Sequence, residues 1–215
     1  GGHPVAVAVS PDGSRLYVTN TVANGAREVT IATGAIDPLA FGNAVFSDVA
    51  VSHDGSHLYL TDSADSSVGV YDLVAADAER KSSGTATGSQ TAAPSTALTF
   101  VSVGENPSAI AVSSDDTSVY VTSSTTPNAK LIDLSGDAPV VRDLDTGGAF
   151  FRDVVCAPDG SAVYFTRIDQ NQVARLDPTT NIVTELLNLP GAPTGLAITG
   201  DGTHLLVSTA LSNSL

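Results

Sequence analysis

Five times in 215 residues the chain writes the same eleven-residue phrase. It reads SPDGSRLYVTN at 10–20, SHDGSHLYLTD at 52–62, SSDDTSVYVTS at 113–123, APDGSAVYFTR at 157–167 and TGDGTHLLVST at 199–209. Aligned on Tyr17, the copies place Tyr59, Tyr120, Tyr164 and Leu206 at successive intervals of 42, 61, 44 and 42 residues. A period in the forties belongs to stacked or radial repeat architectures, where each unit buries its apolar face on the next. The long interval holds AADAERKSSGTATGSQTAAPST, residues 75–96. Its small, polar composition predicts a flexible surface insertion in the second repeat.

Each repeat resolves into strands. Before every phrase comes a short run in which large aliphatic residues alternate with small ones: Val7 and Val9, Val49 and Val51, Ile110 and Val112, Val154 and Cys156, Leu196 and Ile198. That period of two predicts a strand with both faces partly buried. Asp-Gly then separates it from a second apolar strand, which is a hairpin signal because Gly accepts a positive φ. In the third repeat Asp116 takes the Gly place. Third strands are predicted at 67–72, 129–133 and 172–177, and fourth strands at 97–104, 139–144 and 182–189. The first repeat matches less cleanly, at REVTIAT and IDPLAFG. No amphipathic helix pattern competes. Four antiparallel strands in about 42 residues, repeated radially, predict an all-β chain of WD40-like architecture, a β-propeller.

The residues YVTN at 17–20, with Pro ahead of the first strand and Pro-Asp-Gly in the turn, resemble the YVTN-type (YncE-like) β-propeller repeat. Pro4, Pro107 and Pro193 hold the Pro place, and Phe46 and Phe151 replace it in the second and fourth repeats. The resemblance covers the chain outside 75–96 and implies one propeller region, 1–215. Its repeats fall at about 1–41, 42–103, 104–146, 147–189 and 190–215. That makes about four and a half blades, expected to form an open fragment of a larger, seven-bladed ring. Relatives of this type include bacterial lactonases and cell-surface repeat proteins, so the resemblance implies a periplasmic, cell-surface or secreted location.

The repeated phrase reads as architecture rather than chemistry. Tyr17 and its equivalents suit the seam between blades, being large, flat and amphipathic. Leu206 in the same slot argues against a catalytic phenol. Cys156 stands where other repeats carry Val or Ile, and reads as a buried, inert thiol. With 23 acidic and 9 basic residues, net charge −14, the chain lacks the cations that phosphate backbones require. Nucleic acid is therefore excluded as a partner. No apolar run is long enough to span a membrane.

Candidate chemistry is sparse. His57 and His204 follow the hairpin turn, where Arg15, Ser118 and Ala162 stand in other repeats, and so read as solvated strand residues. TDSADSS at 61–67 offers Asp62 and Asp65 but lacks the glycine and terminal Glu of an EF-hand loop, so it reads as a polar loop. The sequence implies no metal and no cofactor. In a propeller with this strand order, ligands favour the face bearing the loops into strand one and between strands two and three. There the fourth repeat is richest. Phe150, Phe151, Arg152 and Arg167 group aromatic and cationic side chains on an acidic chain, and Asp48 and Asp153 occupy equivalent places eleven residues before their Tyr. These six are the candidate ligand-binding residues. Four Glu exist, none paired with His in a recognisable catalytic pattern. The expected function is a non-catalytic extracytoplasmic binding or scaffolding propeller for a protein or small-molecule ligand; the alternative is a lactonase-like hydrolase using the same loop face.

Overall fold

The Asp turn is locked the same way in four of the five repeats; in the fourth, Ala157 has no hydroxyl and Asp159 Oδ1 accepts from the Ser161 backbone N–H at 3.0 Å. Asp12 Oδ1 accepts from Ser10 Oγ at 2.6 Å and from the Ser14 backbone N–H at 3.0 Å. Asp54 repeats this with Ser52 and Ser56, and Asp115 with Ser113 and Thr117. The following residue takes a positive φ: 70° at Gly13, 73° at Gly55, and 58° at Asp116, where the chain tolerates a side chain in the left-handed region. The phrase is thus turn chemistry followed by a strand.

The structure, a computed structural model, describes residues 3–21, 25–39, 41, 44–83, 97–104 and 106–210. Its chain contacts define two compact units, 1–104 and 105–215. The first unit holds two antiparallel meanders of four strands. One is β1 (Pro4–Val9), β2 (Arg15–Asn20), β3 (Ala26–Thr30) and β4 (Ala35–Leu39); the next is β5 (Phe46–Val51), β6 (His57–Asp62), β7 (Ser67–Asp72) and, after a helix α1 (Leu73–Ser83), β8 (Leu98–Ser102). In the second unit come β9 (Pro107–Val112), β10 (Ser118–Ser123), β11 (Lys130–Asp133) and β12 (Val140–Asp143), then β13 (Val154–Cys156), β14 (Val163–Arg167), β15 (Gln172–Asp177) and β16 (Ile182–Asn188). A two-stranded sheet of β17 (Ala192–Ile198) and β18 (Leu205–Ala210) follows. Four sheets of four and one of two make the four and a half blades that the repeats predict.

Helix α1 is a departure from the sequence reading, which places a flexible insertion at 75–96 and no helix. Residues 75–83 are helical, and 84–96 lie outside the described residues. Asp72 Oδ1 caps the helix by accepting from Ala75 N at 2.8 Å. Leu73 and Ala76, one turn apart, are buried in the core of the first unit with Tyr71. Two apolar positions are too few to register as a helical period, which is why the pattern is invisible in sequence. The polar side makes the anchor: Arg15 Nη2 lies 3.0 Å from Asp77 Oδ2, and Arg80 pairs with the same carboxylate. Glu28 on β3, 4% exposed, sits 3.5 Å from Arg15 and 3.6 Å from Arg80.

Blade-to-blade packing follows the Tyr seam. Tyr17 is buried with Phe46 and Leu58 of the second sheet, and Tyr120 meets Phe165 of the fourth edge-on at 6.2 Å. Tyr164 is only half-buried and Leu206 is 55% exposed. The sheet beside Tyr164 has two strands, so its ring is covered in part; the equivalence of the slots in sequence does not make their burial equal. Cys156 is likewise partly rather than fully buried, packed against the second core, and burial pushes its thiol up to about 12.

The turns carry an acid-stability prediction. Hydrogen bonds from Ser10, Ser52 and Thr199 hydroxyls, with backbone N–H groups behind them, hold Asp12, Asp54 and Asp201 down at about 2, against 3.8 for a free carboxyl. The unfolded chain therefore binds more protons than the folded one as pH falls. Their stabilisation is complete above about pH 4 and is lost between about pH 4 and pH 2. Urea unfolding from pH 6 to pH 2 should show that acid limb, and the triple variant Ser10→Ala/Ser52→Ala/Thr199→Ala should flatten it. An unchanged limb in the variant would show that the acid sensitivity lies elsewhere.

Candidate functional site

The Thr of the repeated phrase has a defined task, and the fourth repeat performs it differently. Val5, Ser47, Ser108, Arg152 and Thr194 occupy one slot, twelve residues before the phrase's Tyr or Leu. In three repeats the slot's hydroxyl meets the hydroxyl at the end of strand two: Ser47 to Thr61 at 2.8 Å, Ser108 to Thr122 at 3.2 Å, Thr194 to Ser208 at 3.1 Å. The fourth repeat puts Arg152 there. Thr166 Oγ1 instead accepts the backbone N–H groups of Arg152 and Asp153, at 3.0 and 2.9 Å. That frees the Arg152 side chain, which is exposed and makes no ion pair among the described residues.

The last residue of the phrase departs in the same repeat. Asp62 Oδ1 and Ser123 Oγ each accept two backbone N–H groups of the following turn. Arg167 has no acceptor to offer. It is 5% exposed, and donates from Nη1 to Gln172 Oε1 at 3.0 Å and from Nη2 to the Gly147 carbonyl at 3.3 Å. Gly147 has φ 81°, and a Cβ built there would stand 3.0 Å from Arg167 Nη2, so the close approach of guanidinium and loop requires glycine.

These bonds pin the loop 147–153 along its length. Gly148 N donates to Asn128 Oδ1 at 3.1 Å, Phe150 N to Asp169 Oδ1 at 3.3 Å and Phe151 N to the Ser123 carbonyl at 3.2 Å. Ile168 N returns a bond to the Phe150 carbonyl at 3.0 Å, so loops 146–152 and 167–171 are brought together as the sequence reading expects. Phe151 is fully buried, edge-on to Phe165 at 5.7 Å. Phe150, its neighbour, is 36% exposed. Asp153 is half-buried; its Oδ1 accepts from Val154 N at 2.8 Å and its Oδ2 from Leu196 N at 2.6 Å, tying β13 to β17. Burial raises its carboxyl above the ordinary value, and the two N–H groups oppose that rise.

Of the six sequence-predicted residues, Phe150 and Arg152 therefore present side chains outward, while Phe151, Arg167 and Asp153 build the frame behind them. Asp48 belongs to the first unit, half-buried, with Oδ1 accepting from Val49 N at 2.9 Å. The residues that sequence reasoning passes over are Thr166, Asn128, Asp169, Gln172 and Gly147. Thr166, Asn128 and Asp169 accept backbone N–H groups, Gly147 offers its carbonyl to Arg167, and Gln172 meets the Arg167 side chain; only the fold supplies these partners. The Ser or Thr that three other repeats carry in the Arg152 slot is a sequence signal that could have singled that residue out.

No protein-family model matches the chain, and no curated protein does. Solved structures do. Hydrazine synthase of Kuenenia stuttgartiensis is similar over 97% of this chain and 56% of that chain, with a TM-score of 0.75 at 24% identity. The β-propeller domain of Myceliophteria thermophila Cps50 (Swd1) is similar over 97% of this chain and 63% of that one, with a TM-score of 0.73 at 14% identity. Together with the antiparallel four-stranded sheets, these likenesses show a β-propeller of WD40-like architecture. This chain spans little more than half the length of either neighbour. At these identities the likeness is one of fold. The closer resemblance to YVTN-type repeats rests on the sequence motifs. Among the described residues, no helix is long and apolar enough to cross a membrane.

Proposed function

We propose that this chain is a non-catalytic binding or scaffolding propeller region, acting outside the cytoplasm. Its contact surface is the fourth-repeat loop 147–153 together with 167–171. Phe150 and Arg152 touch the partner; Arg167, Phe151 and Asp153 position them. The observation that carries this reading is a loop held by backbone hydrogen bonds that leaves one aromatic and one cationic side chain outward, the cation at a slot where three other repeats keep a small hydroxyl. Aromatic residues and Arg are the side chains enriched at protein interfaces. A loop already held by backbone bonds loses little entropy on binding. The partner class this favours is a protein. The YVTN-type resemblance supports the location.

The hydrolase reading has less support. Arg167 and Asp153 are committed to structural hydrogen bonds, and a hydrolase needs an acid or base within reach of a bound electrophile. The test places a photo-crosslinking amino acid at position 150 in the full-length protein, in its own host. An adduct to one protein should form at 150, fail to form at the exposed turn position Ser161, and weaken at least tenfold with Arg152→Ala while Tm is unchanged. No adduct above the Ser161 control would reject the surface. Hydrolysis of an aliphatic lactone by the purified protein, abolished by Arg152→Ala, would move the chain to the hydrolase class.

A further inference from the structure

The second sheet buries a carboxylate that its turn does not need. Asp62 ends β6 and is 0% exposed. Its Oδ1 accepts from Ala64 N at 3.0 Å and Asp65 N at 3.2 Å. Ser123 does the same for Thr125 and Thr126 with one neutral oxygen, at 3.2 and 3.1 Å. A serine therefore meets the whole demand of the turn. Asp62 adds a full negative charge and a second oxygen, Oδ2, that is buried and accepts no hydrogen bond. Directly opposite in the β6–β7 register stands Ser67, 5% exposed, whose Oγ is also buried and without a hydrogen-bond partner.

The fourth sheet shows how this register pair is satisfied elsewhere. There the same two positions are Arg167 and Gln172, joined by a 3.0 Å hydrogen bond. Blade four fills the place with a guanidinium, whereas blade two leaves a carboxylate oxygen and a hydroxyl oxygen on register partners, each buried without a hydrogen-bond partner. A carboxylate shut away from water is strongly disfavoured unless a cation or donors complete it.

We propose that Asp62 Oδ2 and Ser67 Oγ are two ligands of a site for a small monovalent cation of the sodium class, seated where β6 turns into β7. Both donors are oxygens, the ligands of hard cations. Asp62 supplies one negative charge, so a singly charged ion leaves the buried site neutral. Among the described residues, no group of three or more His, Cys, Asp or Glu side chains is placed to hold a metal ion, which disfavours a divalent one. Two oxygens that share one cation at about 2.3–2.6 Å each need not hydrogen-bond to one another, and these register neighbours make no hydrogen bond. The ion holds the turn between strands two and three of its blade, where the guanidinium of Arg167 holds the equivalent turn.

The experiment is thermal unfolding of the intact chain, exchanged into choline chloride, with sodium chloride replacing choline at constant ionic strength. Wild type should gain Tm in proportion to the logarithm of sodium concentration above Kd, reaching about 5–10 °C at a hundredfold excess. Asp62→Asn keeps the Oδ1 cap and should lose that gain. Ser67→Ala should weaken the apparent affinity about tenfold, and serves as the test should Asp62→Asn fail to fold. No sodium response in wild type, or an equal response in both variants, overturns the site. A response to calcium exceeding that to sodium overturns the assignment of a monovalent ion.

Discussion

Tyr120→Ala is expected to lose about 3–5 kcal/mol of folding stability, and Tyr164→Ala less than half as much. The two residues are the same letter of the same phrase. Tyr120 is 1% exposed and packed with Phe151, Val154 and Phe165 in the core of the second unit. Its removal opens a cavity between two complete sheets, and close-packed surroundings relax only partly into such a space. Tyr164 is half-buried beside the two-stranded sheet of β17 and β18, so truncation there exposes less and leaves a hole that is already open to water. Urea denaturation of both variants, with equal m-values, measures the difference. Equal losses would show that the seam is uniform and that the partial exposure of Tyr164 has no energetic weight.

Arg15→Ala is expected to cost about 2–3 kcal/mol and to loosen α1. Breaking a buried ion pair costs about 3–5 kcal/mol, because the remaining charge is stranded; the Arg15 side chain is about a third exposed, so solvent screening lowers the figure. The charge left partly stranded is Glu28, 5% exposed at its side chain: it keeps Arg80 at 3.6 Å, and its Oε2 accepts no hydrogen bond even in the intact network. Asp77 loses a 3.0 Å partner at the same time. Neutralising the stranded group should recover part of the loss: adding Glu28→Gln to Arg15→Ala should restore about 1 kcal/mol. Limited trypsin digestion gives a second readout, since α1 carries Arg80 and Lys81. Faster cleavage there in Arg15→Ala, with the sheets still folded, reports local undocking. A cost below about 0.5 kcal/mol would place the network among ordinary surface pairs.

Much of the fold was legible because a repeat averages its own evidence. Any one copy of the phrase is ambiguous, but five copies in register expose the Asp-Gly turn, the alternation around it and the period together. In repeats two to four the third and fourth strands fall within one or two residues of their expected places: 67–72 is β7 and 172–177 is β15, and 182–189 contains β16; in the first repeat they end three residues earlier than REVTIAT and IDPLAFG suggest. Helix α1 was not legible, because its support comes from Arg15 and Glu28, which lie in another blade. The candidate site was legible as a grouping and not as a set of roles. Arg152 and Arg167 look alike in sequence. In the structure one is exposed and the other is buried against Gly147 and Gln172.

By itself the sequence determined the local rules: where each turn forms, which residues alternate along each strand, and how many strands a repeat contains. Those depend on neighbours within a few positions, and the physics of turn geometry and period two acts at that range. Only the tertiary structure decided which equivalent positions became equivalent in environment. Tyr17 and Tyr120 are fully buried while Tyr164 is only half-buried, because the sheet beside Tyr164 has two strands. Thr166 serves two backbone N–H groups, where Thr61 and Thr122 serve a serine hydroxyl, because Arg152 stands opposite. Asp62 carries an unmatched oxygen because its cross-strand neighbour is Ser67, whereas Arg167 faces Gln172. Burial and hydrogen-bond satisfaction are properties of pairs brought together from distant parts of the chain, and a repeat motif specifies one member of each pair at a time.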